Sequence, residues 1–138
     1  MALDIGVRRV GIAISDAQAS IATPLCTLST QEVLNCGAEM KRLLEDWEPD
    51  ALVCGLPLSL SGSYSSQTHL VKNQAQKLAK TLNLDLFFVD ERLSSSTARN
   101  QLRSSGLKAA QMKGKIDMLA ASIFLQTWLD ARINKATP

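Results

Sequence analysis

Four acidic residues stand where an acid is costly or exposed to chemistry. Asp4 interrupts the apolar run Ala2-Leu3-Asp4-Ile5-Gly6, which reads as a first strand. A strand paired on both edges is normally near-continuously apolar, and an ionised carboxylate inside one is costly unless something neutralises it. Asp90 and Glu91 close a second apolar stretch, Leu84 to Val89. In parallel α/β sheets, ligands collect beyond the carboxyl ends of strands, so one of this pair is expected to serve chemistry while the other, or Arg92, fixes the turn. Asp117 lies in the first turn of the last helical stretch, where Ile116, Ala120, Ile123, Phe124 and Trp128 form an apolar arc at about 100° per residue. It projects between Phe124 and Trp128. The helix dipole favours an acid in a first turn but does not rotate it toward the core. Each acid also has a plain structural reading: a frayed terminus for Asp4, a turn for Asp90-Glu91 and a helix start for Asp117.

Inward acids from three separate segments converge only around a shared counter-ion. With one histidine, His69, and three cysteines, Cys26, Cys36 and Cys54, that lack metal-type spacing, the donor set is oxygen only. Such a set suits Mg²⁺ or Mn²⁺. Two of these ions, about 3.5–4 Å apart, activate water and stabilise the leaving oxygen of a phosphodiester. They would also offset the repulsion among the acids.

The elements that must position these groups follow from pattern. A second strand, Val10 to Ile14, follows the turn Val7-Arg8-Arg9, and Pro24 to Leu28 reads as a third, giving an antiparallel meander. Ser29-Thr30-Gln31-Glu32 fits a capping box and predicts one helix to about Trp47, stopped by Pro49. Ala51 to Gly55 is a buried strand, Leu56 to Tyr64 a long loop, and a helix with the stripe Leu70, Val71, Ala75, Leu78, Ala79 and Leu82 begins near Ser65 or Ser66. After the strand Leu84 to Val89, Ser94 to Thr97 offer caps for a short helix to about Ser104, closed by Gly106. A basic linker leads into a last helix over 115–132. Strand–helix–strand crossovers make the second half parallel, so the expectation is one α/β domain spanning residues 1–138 around a mixed sheet.

The 138 residues are 46% apolar and carry a net charge of +2, values that set no partner class by themselves. The distribution says more. Between Arg92 and Ile116 stand Arg92, Arg99, Arg103, Lys108, Lys113 and Lys115 and no acid, which points to a polyanion contact or to solvated helix faces. Few aromatic residues argue against a base-stacking platform, so recognition should rest on backbone charge and shape, with strong salt dependence. Tyr64 and Gln67 are secondary candidates to reach a substrate. No membrane-length apolar run or signal peptide is visible, and a cytoplasmic location is expected.

The motifs resemble the YqgF-type family of the ribonuclease H-like superfamily, described as Holliday-junction resolvases and as nucleases of precursor 16S rRNA. The resemblance runs through Leu3-Asp4-Ile5-Gly6, Arg9-Val10-Gly11-Ile12-Ala13 and Ser15-Asp16, then Gly55-Leu56-Pro57-Leu58, Gly62 and Gln67. It continues through Asp90-Glu91-Arg92-Leu93-Ser94 with Ala98, and ends at Asp117-Met118-Leu119-Ala120-Ala121. It implies a five-stranded mixed sheet, strands 1–3 antiparallel and 1, 4 and 5 parallel, flanked by helices. It also implies Asp4, Glu91 and Asp117 as catalytic, metal-holding residues for Mg²⁺ or Mn²⁺. Arg8, Arg9, Arg92, Arg99 and Arg103 are then candidates for substrate phosphates, because arginine forks suit them, with Lys108, Lys113 and Lys115 beside them. Members usually carry several residues ahead of the first aspartate where this sequence has Met1 to Leu3, so either the first strand is short or the sequence starts part-way into it, and its pairing at that edge stays open.

The expected function is processing of the 5′ end of precursor 16S rRNA. Alternatives are cleavage of branched DNA as a Holliday-junction resolvase, a non-catalytic nucleic-acid-binding module, or a phosphate-binding domain of the actin and sugar-kinase type. The expected partner is structured RNA or branched DNA, not a membrane, with the protein a monomer or a homodimer.

Overall fold

Side chains alternate across a strand, and in this chain the alternation separates a bulky face from a small one. The computed structural model describes residues 1–92, 98, 100, 101, 103–106 and 109–136, with backbone only for 109–113 and 133–136. Its strands are β1 (Ala2–Ile5), β2 (Arg9–Ser15), β3 (Ala22–Ser29), β4 (Ala51–Leu56) and β5 (Asp85–Asp90). They form one sheet in the order β3-β2-β1-β4-β5, antiparallel from β1 to β3 and parallel across β1, β4 and β5. Pro24 sits on the edge strand β3, where a missing N–H is tolerated, next to a register shift opposite Ile12 and Ala13.

The bulky face carries Leu3, Ile5, Val10, Ile12, Ile14, Leu52 and Cys54, packed beneath α1 (Thr30–Leu34), α2 (Ala38–Trp47) and α3 (Ser66–Leu82) through Val33, Met40, Val71, Ala75 and Leu78. The other face presents Ala2, Ala13 and Val53 to the long last helix, α4 (Ala109–Ala136), which replies with Ala121, Phe124, Leu125 and Leu129. Small residues on a strand face let a helix lie close. By alternation, Asp4 and Gly11 belong to this α4 face.

Several elements depart from expectation for physical reasons. The helix expected from Ser29 to Trp47 is two helices. Ser29 Oγ accepts from the Glu32 N–H at 3.1 Å, but the Glu32 carboxylate accepts from the N–H groups of Glu39 and Met40 at 2.6 and 3.2 Å and so caps α2. Cys36, in the left-handed region at φ 49, reverses the chain between them. A two-sided capping box does form, at Ser65 and Thr68. The last helix starts earlier than 115, because 109–114 continue its backbone instead of forming a linker. Its buried stripe is Ala120, Ala121, Phe124, Leu125 and Leu129, with Ile123 and Trp128 at the margin. Cys54 is buried, whereas Cys26, on the edge strand, is only half-buried. The proposed caps 94–97 lie outside the described residues.

Candidate nucleic-acid cleavage site

Asp4 sits in mid-β1, opposite Gly11 of β2, on the face that α4 covers. Two glycines make room for its neighbours. A Cβ on Gly11 would lie 2.1 Å from the backbone carbon of Asp117, so only glycine lets α4 descend there. A Cβ on Gly55 would lie 2.6 Å from a Glu91 carboxylate oxygen and 2.9 Å from the Phe124 ring. The close approach of α4 is held on both sides of Asp117. Thr27 Oγ1 donates to the Gly114 carbonyl at 2.7 Å, and the Gln126 amide accepts from Ala22 N–H at 2.8 Å while donating to Ser20 O at 2.9 Å.

Asp4 and Glu91 meet. Burial first, then the negative charge of Glu91 and a hydrogen bond to it, push the Asp4 carboxyl up to about 8. Burial also raises Glu91, while the hydrogen bond from Asp4 works the other way. The pair therefore shares a proton at neutral pH, with Asp4 the donor. Two carboxyls held this close, with little water around them, resist ionising together until the pH is raised or a cation offsets the repulsion. Asp117 adds to the repulsion on both partners.

Asp117 itself is half-buried, and its Oδ2 accepts from Arg9 Nε at 3.2 Å. Burial raises its carboxyl and Arg9 opposes that rise. Among the described residues, no three His, Cys, Asp or Glu side chains are grouped so as to hold a metal ion as they stand. The third acid is near enough to repel the pair, but it is engaged by an arginine.

Arg9 and Arg8 belong to a rigid turn. Gly6 N–H donates to Arg9 O at 2.8 Å, Thr30 Oγ1 donates to Gly6 O at 2.9 Å, and Thr30 N–H donates to Arg8 O at 2.9 Å. With Gly6, Val7 and Asp117, these arginines line an open cavity of about 410 Å³. Arg8 is exposed and Arg9 half-exposed.

The alternatives left open at the end of β5 separate by environment. Asp90 points outward and takes Arg92, whose Nε donates to Oδ2 at 2.7 Å, and this bond holds the Asp90 carboxyl below its usual range. Glu91 turns inward to Asp4. Arg103 and Lys115 are exposed, while Arg99, Lys108 and the Lys113 side chain lie outside the described residues. Asp16, which belonged to the motif, is a turn former whose carboxylate accepts from Ser20 and Ile21. The room-making role of Gly11 and Gly55 went unread in the sequence, although glycine within a strand pattern is the signal for close approach.

This sheet order, with helices on both faces, is the ribonuclease H-like fold. A solved RuvC from T. thermophilus, in complex with a Holliday-junction substrate, superposes with a TM-score of 0.54 at 16% identity, covering 95% of this chain and 92% of that one. The RuvX family model, described as "Holliday junction resolvase", matches residues 1–131. The chain belongs to the RuvX family, a family of nucleases. Relatives named "Putative pre-16S rRNA nuclease" include one from Chloroflexus aurantiacus, 43% identical over 96% of this chain and 86% of its own length. Another, from Gloeothece citriformis, is 42% identical over 96% of this chain and 87% of its own. One from Rickettsia rickettsii is 35% identical over 95% and 85%. Among the described residues, no helix is long and apolar enough to cross a membrane.

Proposed function

We propose that this chain is a metal-dependent endonuclease that trims the 5′ end of precursor 16S rRNA in the cytoplasm as one domain over residues 1–138. The observation that carries the reading is the half-buried Asp4–Glu91 pair, hydrogen-bonded to each other beside Asp117, with Asp117 lining a cavity together with Arg8 and Arg9. The relatives' names supply the RNA substrate.

The donor set fits Mg²⁺ or Mn²⁺ in its chemistry. It is oxygen only, charged and crowded, and a cation would replace the proton that Asp4 now holds. Asp117 would have to exchange Arg9 for the ion. Bound ions, two in the arrangement favoured here, would supply an activated water and a counter-charge for the leaving oxygen. The chain's own groups do the rest. Asp4, Glu91 and Asp117 would hold the ions, while Arg8 and Arg9 would grip the phosphate through their guanidinium forks. Their turn, tied to Thr30, keeps that grip in register with the acids. In the hydrolysis one water would be taken up, its oxygen ending on phosphorus and its proton on the departing nucleotide oxygen. Arg103 and Lys115, with Arg99, Lys108 and Lys113, would extend a basic path for the flanking backbone.

The test is cleavage of a structured precursor 16S RNA and of a four-way DNA junction in Mg²⁺ or Mn²⁺. Metal-dependent RNA cleavage that disappears in Asp4→Asn, Glu91→Gln and Asp117→Asn supports the reading. Preference for the junction would favour the resolvase activity in the family's description. Cleavage that survives the substitutions would overturn the site, and binding without cleavage of either substrate would favour a non-catalytic module.

A further inference from the structure

The loop between β4 and α3 carries an apolar residue where a loop residue is ordinarily polar. Leu60, at its tip, is 98% exposed, more than any other large hydrophobic among the described residues. The loop has structure of its own. Ser59 N–H donates to Ser63 O at 3.1 Å, Gly62 N–H donates to Ser59 O at 2.8 Å, and the hydroxyls of Ser59, Ser61 and Ser63 lie within 2.7–3.1 Å of one another. Its base is fixed where the buried Thr68 hydroxyl donates to Pro57 O at 2.5 Å.

Its tip is fixed by Arg92. The Arg92 guanidinium is held by Asp90 through Nε and Nη2, and its Nη1 donates to the Leu60 carbonyl at 3.2 Å. The Arg92 backbone N–H also donates to Asp90 Oδ1 at 3.0 Å, so side chain and main chain close on the same carboxylate. Gly62 lies against this guanidinium, since a Cβ there would stand 3.4 Å from Nη1, and its φ of +83° favours glycine in any case. Arg92 directly follows Glu91, whose own N–H donates to Leu56 O, at the start of the loop, at 3.3 Å. Loop and inward acid are therefore held by adjacent residues of one strand end.

We propose that Arg92 is a positioning residue: braced by Asp90, it holds the 57–64 loop beside the acidic centre so that Leu60 meets an apolar sugar or base face of the substrate. This replaces the phosphate contact expected of Arg92 from sequence. It rests on the nuclease reading for the identity of the substrate but not for the brace itself. Five donors in a rigid fork allow arginine to serve Asp90 and a carbonyl together, whereas the lysine ammonium is a point charge that cannot span both.

The experiment has two readouts on the full chain. Hydrogen exchange at residues 57–64 is measured without substrate for wild type, Arg92→Ala, Arg92→Lys and Asp90→Asn. Steady-state cleavage, or binding of a fluorescent structured RNA in Ca²⁺, is measured for the same set and for Leu60→Ser. All three brace variants should exchange at least about fivefold faster in the loop, with Arg92→Lys no better than alanine. Leu60→Ser should leave exchange unchanged, and every variant should weaken RNA through KM or Kd by about 5–10-fold, with a smaller effect on kcat. Unchanged loop exchange in Arg92→Ala, or rescue of RNA binding by Arg92→Lys, would overturn the brace. Wild-type RNA affinity in Leu60→Ser would overturn the role of the tip. Absence of cleavage in wild type would count against the nuclease reading and leave the exchange result standing.

Discussion

Asp4 is the residue on which folding and the proposed chemistry pull in opposite directions. Its carboxyl is raised to about 8 by burial and by Glu91, so the native protein binds this proton more tightly than the unfolded chain does. Stability from this group is therefore present at low pH and is lost as pH rises from the ordinary carboxylate range toward 8. Asp4→Asn should raise the melting temperature at pH 8 by a few degrees, flatten its fall between pH 5 and pH 8 and abolish cleavage; thermal scans across that range check the first two. Arg9 is the complementary case. It neutralises Asp117, and a metal ion would compete with it for the same oxygen. Arg9→Gln should bind Mn²⁺ several-fold more tightly at pH 8 in calorimetry while binding RNA more weakly. Looser metal binding would show that Arg9 supports the site instead of competing for it.

At the scale of elements, the site depends on how closely α4 can approach β1 and β2. Gly11→Ala places a methyl against the Asp117 backbone, where nothing flexible can yield. It should cost about 1–3 kcal/mol and move Asp117 away from Asp4, so activity should fall further than stability. Gly55→Ala meets chiefly the Glu91 side chain and should spare stability more than activity. Denaturant melts alongside cleavage rates separate the two effects. These contacts also mark what sequence can show. Period-two patterning was enough to read the strands, the mixed sheet and the inward acid, because Leu3, Ile5, Ile12 and Leu52 alternate with Asp4, Gly11 and Val53. Helical spacing put Asp117 on the covered side of α4, although the buried stripe runs through Ala121 and Leu125 as well as Phe124. It did not show the break at Cys36-Gly37, because there the Glu32 carboxylate serves the next helix instead of its own. Nor did it choose between Asp90 and Glu91, which differ only in which way the strand end turns. The arginine engagements of Arg9 and Arg92 are likewise tertiary, spanning 108 and 32 residues of chain.

For the molecule as a whole, charge and pH link to metal. A cation bound at the proposed site would have to displace the Asp4 proton, so Mg²⁺ or Mn²⁺ should stabilise the fold more at pH 8 than at pH 6, and chelation should reverse the gain. RNA binding through Arg8, Arg9 and the basic residues between 99 and 115 should weaken steeply with salt; a shallow slope of log affinity against log salt would argue for recognition by other means. The most direct measurement is anomalous diffraction from a crystal soaked in Mn²⁺ at pH 8. Density is expected among the carboxylates of Asp4, Glu91 and Asp117, with the Arg9 guanidinium withdrawn from Asp117. A crystal with no peak there and the Arg9–Asp117 pair intact would contradict a metal centre at these acids.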